Sequence, residues 1–81
     1  MSAVVQSDLQ HFGSCVRSAR ERLGMSQEEL ADRAGMHRTY LGGVERGERN
    51  LGLLNLLRIA RALDVAPARL LPMADSKWRG K

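Results

Sequence analysis

A single cysteine, Cys15, stands among the 81 residues, which excludes an internal disulfide and a cysteine-based zinc cluster. It is read as core or boundary filler. No apolar run approaches the ~20 residues of a membrane span, and no apolar stretch follows a basic start as in an export signal. No membrane association is therefore expected, and the cytoplasm is the expected compartment. Two distant histidines and one cysteine supply too few ligands for a metal site. No paired carboxylates, nucleophile–base set or glycine-rich phosphate loop stands at useful spacing, so enzymatic activity is not expected. No cofactor, metal or small-molecule ligand is expected either, because one core consumes the apolar residues of so short a chain.

What is present is positive charge. Thirteen basic residues, eleven of them arginine, outweigh nine acidic ones for a formal net charge of +4. Arginine's planar fork suits phosphates and guanine edges, so the balance permits nucleic-acid binding without requiring it. A chain of this length hides only about 60% of its unfolded surface, which makes self-association a reasonable expectation.

The apolar pattern reads as five short helices and no strand. Leu9, Phe12, Val16, Ala19 and Leu23 recur at spacings of three and four, on one helical face that Gly24 ends. "SQEE" forms a capping box from Ser26 to Glu29, opening a second helix over about 27–34 with Leu30, Ala31 and Ala34 inward. His37 is the candidate cap of a third helix over about 38–46, which Gly47 stops. His11 and His37 are read as solvated or capping side chains. A fourth helix runs from Leu53 to Leu63, with Leu53, Leu56, Ala60 and Leu63 inward and Asp64 as cap. Pro67 suits the first turn of a fifth, through Leu71. The domains are then a flexible N-terminus (1–8), a folded unit (9–72) and a basic tail (73–81). Trp78 in that tail receives no role.

Two short helices joined by a glycine-containing turn are the pattern of the helix-turn-helix, whose second helix enters the major groove. The third helix carries two glycines in its interior, each costing roughly 1 kcal/mol relative to alanine. On a helical wheel Leu41 and Val44 face one way with Tyr40 beside them. Thr39, Gly42 and Arg46 face the other, flanked by Arg38 and Gly43. A helix lowered into a groove needs reach at its first turn and little bulk behind it, which this face supplies. The plainer alternative makes both glycines neutral surface positions.

The stretch "GMSQEELADRAGMHRTYLGGVERGERNLGLLNLLRIARALDV" resembles the Xre-type helix-turn-helix family, the phage repressor and Cro class, over about residues 12–71. The residues behind the match are "SQEELA", "VERG" and "LLRIARALDV". Within the family, "HRTYLGGVERGERN" looks most like the controller proteins of restriction-modification systems, short homodimers that activate and repress their own operon. The resemblance implies an all-α, compact five-helix bundle of the lambda-repressor-like type. It also implies a dimeric, sequence-specific transcriptional regulator of double-stranded DNA. A phage-like or stand-alone repressor, and the antitoxin of a toxin pair, are the alternatives.

Residue by residue, the resemblance places Arg38 and Thr39 at base edges and Arg46, one turn beyond Gly42, near phosphate or groove edge, while the wheel would let the Gly42 and Gly43 backbone approach the bases closely. The resemblance sets Gln27, Tyr40, Arg49 and Asn50 against phosphates. It also pairs Glu45, on the border of the Leu41 face, with Arg20 of the first helix. On the fourth helix Leu54 falls opposite the core stripe and Leu57 at its boundary. With Leu51 and Leu71 they form an apolar patch suited to a homodimer interface. An isologous dimer would offer two recognition helices to half-sites about one DNA turn apart. The operator sequence, the regulated genes and the choice between activation and repression are not legible here.

Overall fold

The computed structural model describes residues 3–71, with side chains from Gln6 onward. Four α-helices follow one another: α1 (Ala3–Arg22), α2 (Gln27–Ala34), α3 (Arg38–Glu45) and α4 (Leu53–Leu63). A single 3-10 turn, Pro67–Leu70, stands where a fifth helix was expected. Proline at position 72 explains why it goes no further. The residue before a proline is driven out of the helical region, and Leu71 is extended at φ −90, ψ 138. The tail 73–81, Trp78 included, lies outside the described residues.

α2 packs on α3 and α4, α1 packs on α3, and the 3-10 turn closes against both α1 and α4. The centre is made by Val16, Leu30, Leu41, Val44, Ile59, Leu63 and Leu70, all essentially inaccessible to solvent. Ile59 and Leu70 were not picked out by spacing, yet each anchors its element. Leu53, by contrast, is 73% exposed rather than inward. It shares a wheel face with Leu56 but opens the first turn of α4, directly after the Gly52 cap, beyond the reach of the core.

The first helix also departs from expectation at both ends. It starts at Ala3, so most of the stretch 1–8 is helical. The Gln6 amide donates to the carbonyl of Gly47 at 3.1 Å, a tertiary contact that no apolar periodicity announces. At the other end Leu23 is 53% exposed. Gly24 turns left-handed at φ +70, and the amide of Met25 reverses onto the carbonyl of Arg20 at 3.1 Å. That reversal is a Schellman closure, and it delivers Met25 to the core in place of Leu23. At α2, Ser26 Oγ accepts from the amide of Glu29 at 3.0 Å. The return arm of the box is missing, because the Glu29 carboxylate pairs with Arg33 at 3.2 Å. His37 occupies the cap position of α3 without any side-chain capping bond.

The crossing of α1 and α3 depends on a glycine that sequence inspection passed over. A Cβ at Gly13 would collide with the carbonyl oxygens of Val44 and Glu45. Bare backbone there lets the end of α3 rest directly on α1.

Candidate nucleic-acid interface

α2 and α3 are joined by the short turn Gly35–Met36–His37, with Gly35 left-handed at φ +71. What sets their mutual position is a buried carboxylate at the end of α3. Arg20 grips Glu45 with two bonds, Nε to Oε2 at 2.8 Å and Nη2 to Oε1 at 3.1 Å. Its Nη1 donates to the Met25 carbonyl at 2.8 Å. Gln27 Nε2 supplies a further bond to Glu45 Oε1 at 2.9 Å. The Glu45 side chain is only 3% exposed and that of Arg20 11%. The hydrogen bond to Glu45 raises the Arg20 pKa, with burial opposing it. Among the described residues no buried side-chain nitrogen or oxygen is left without a partner. Three helices thus meet on one carboxylate, which fixes how α3 is presented.

Gln27 therefore has an inward duty that the sequence did not suggest. Its remaining oxygen faces outward, 3.5 Å from Arg38 Nη1. Arg38 and Thr39 are exposed on the first turn of α3, where helix amides also carry partial positive charge. Tyr40 is half-buried at the domain edge. Its hydroxyl accepts from Asn55 Nδ2 at 3.3 Å, which fixes the oxygen and leaves its O–H as a donor. The Arg49 guanidinium lies over the Tyr40 ring, 5.8 Å from its centroid. Asn50 is exposed beyond it.

Gly42 and Gly43 correct the expectation of an open, bare face. Both are buried. Their covers are not apolar core atoms but polar side chains on the outside. A Cβ at Gly42 would lie 3.2 Å from Arg46 Nη1 and 3.6 Å from Gln27 Oε1. A Cβ at Gly43 would lie 3.1 Å from both Cγ and Nε of Arg49. The wheel had the direction right and the exposure wrong, because it carries no information about side chains folding back. Arg46 is itself held: Nε reaches Glu48 Oε2 at 3.1 Å and Nη2 reaches Oε1 at 3.2 Å. Glu48 was overlooked in the sequence, where only a left-handed Gly47 separating it from Arg46 hints at the fold-back.

Leu53, Leu54 and Leu71 are exposed and Leu57 is half-covered. Leu51 instead packs against the core cluster. An open groove of about 730 Å³ runs between α1 and the 3-10 turn, past His11, Cys15, Arg22, Val65 and Leu70. Composition had not suggested it. Among the described residues no helix is long and apolar enough to cross a membrane.

Comparison with known proteins places this geometry. The profile described as "Helix-turn-helix" matches residues 16–70. The control protein C.SmaI of Serratia marcescens is 50% identical over 56 residues, covering 69% of this chain and 67% of the relative. The crystal structure of the restriction-modification controller protein C.AhdI from Aeromonas hydrophila superposes with a TM-score of 0.79 at 49% identity. That match spans 80% of this chain and 98% of the other. The controller protein C.Esp1396I, solved as a tetramer in complex with its natural 35 base-pair operator, superposes with a TM-score of 0.71 at 34% identity. There 76% of this chain and 82% of the other are covered. An exposed arginine–threonine start on α3, a buried Glu45 hub behind it and these likenesses lead to one assignment: the chain belongs to the helix-turn-helix family, in the branch of the restriction-modification controller proteins.

Proposed function

We propose that the chain is a transcriptional regulator that binds a pseudo-palindromic operator in duplex DNA as a homodimer, and that its target is a restriction-modification operon. It acts by binding, not catalysis, in the cytoplasm. The observation that carries the reading is the presentation of α3. Its cationic first turn faces outward while the Arg20–Glu45–Gln27 cluster holds its other end. Arg38 is suited to a bidentate guanine contact, and Thr39 to a base edge or a thymine methyl. Arg46, with the backbone at Gly42 and Gly43, takes the deeper groove positions. Gln27, Tyr40, Arg49 and Asn50 take phosphates. Leu54, Leu57 and Leu71, joined by Leu53, form the dimer contact, with Leu51 bracing it from the core side.

Selection of bound sequences from random duplexes, run with a salt titration, tests the proposal. A single two-fold symmetric motif should emerge. For a dimer neutralising about eight phosphates, log K against log salt should fall with a slope near −7. No enriched motif together with a flat salt response would refute it.

A further inference from the structure

Glu48 belongs to no group of residues assigned above, yet its position is tightly set. Gly47 is left-handed at φ +78. The amide of Gly47 donates to the Val44 carbonyl at 3.0 Å, and that of Glu48 to the Gly43 carbonyl at 2.8 Å. This pair of bonds is a Schellman closure that folds the chain back on the end of α3. The Glu48 carboxylate is thereby set beside Arg46, which it grips through two nitrogens at 3.1 and 3.2 Å. The third nitrogen of the same guanidinium is the one that covers Gly42. One side chain, held by one carboxylate, both withdraws its own charge and blocks the closest approach to the α3 backbone.

We infer that Glu48 is an intramolecular competitor for Arg46, an anionic stand-in that DNA must displace before Arg46 and the Gly42 backbone become available. The inference rests on the proposed DNA-facing role of α3. Both partners are well exposed, with side chains 59% and 57% accessible, so the pair is displaceable rather than locked. Arg46, through its hydrogen bond first and its charge second, holds the Glu48 carboxyl below its ordinary range. The competitor is therefore ionised wherever the protein would meet DNA. An acceptor in the DNA groove arriving at Arg46 finds a carboxylate already there, and displacing it leaves that negative charge facing a polyanion.

The test is a two-residue cycle read by duplex binding at low salt, with one measurement that needs no DNA. Glu48→Gln should tighten binding to a random-sequence duplex by about threefold, the order expected when an exposed ion pair no longer has to be broken. The gain from Glu48→Gln should be smaller in an Arg46→Gln background, where there is nothing to release. An equal or larger gain there would mean that Glu48 acts only as a repelling charge, and would overturn the inference. So would no gain in the unaltered background. In the free protein, hydrogen exchange at the Arg46 Nε–H, followed by nitrogen-15 NMR, should be several-fold faster in Glu48→Gln. Unchanged exchange would show that no clamp exists, whatever the DNA result. Failure of the unaltered protein to bind any duplex would instead remove the DNA-binding reading itself.

Discussion

At the scale of single residues, the most consequential group is a carboxylate buried behind the outer face of α3. Glu45 accepts from Arg20 and Gln27 while almost wholly buried. Removing it would strand a guanidinium and an amide in a nearly dry site. Breaking a buried pair from one side typically costs about 3 to 5 kcal/mol. Glu45→Ala should therefore lower the melting temperature by more than about 10 °C, and sequence preference should survive in whatever fraction remains folded. A melt unchanged within error would contradict the hub. Arg38 is the opposite case, exposed and, among the described residues, held by one long contact to Gln27. Arg38→Ala should leave the melt alone and cost about 1 to 3 kcal/mol on the preferred operator, with much less loss on random DNA. Competition binding reads that difference directly. Ser26, Gly24 and Asp64 were legible in the sequence because a cap is a local device. Glu48 was not, since its partner is fixed by a backbone reversal that spacing does not describe.

At the scale of elements, α3 spends intrinsic helix stability on two glycines and keeps its place through packing. Leu41 and Val44 are fully buried beneath it, and Gly13 admits its carboxyl end to α1 without a side chain between. Gly42→Ala would add a Cβ against Arg46 Nη1, the far end of an exposed side chain that has room to move. The substitution should raise stability by up to about 1 kcal/mol. If the backbone at Gly42 is where DNA comes close, the same variant should bind its operator several-fold more weakly. A thermal melt beside an affinity measurement separates the two effects. A variant both more stable and equally tight would make Gly42 a plain surface position. The fourth helix teaches a complementary lesson. Its period predicted Leu56, Ala60 and Leu63, but put Leu53 inside and passed over Ile59. A wheel shows which side of a helix is apolar. It does not show how far along the axis the neighbouring helices extend.

For the whole molecule, the apolar surface left over by one small core points to assembly. Leu53 and Leu54 are 73% and 57% exposed on adjacent residues, with Leu71 at 41%. Leu54→Glu should give a monomer by sedimentation equilibrium and weaken operator binding steeply, since two linked recognition helices would become one. In the unaltered protein the melting temperature should rise with concentration, as it does wherever folding is coupled to association. A variant that remains dimeric would move the interface elsewhere on the surface.

Local chemistry reached far in this chain. Helix existence and order, the turn between α2 and α3 and the cationic start of α3 follow from residue type and period, each decided within a few neighbours. Packing decided the remainder: the burial of Met25 where Leu23 was expected, and the tie from Gln6 at the start of α1 to the carbonyl of Gly47. It also folded Arg46 and Arg49 back over two glycines. Those outcomes depend on which atoms from distant segments come within ~4 Å, a quantity that no one-dimensional pattern contains.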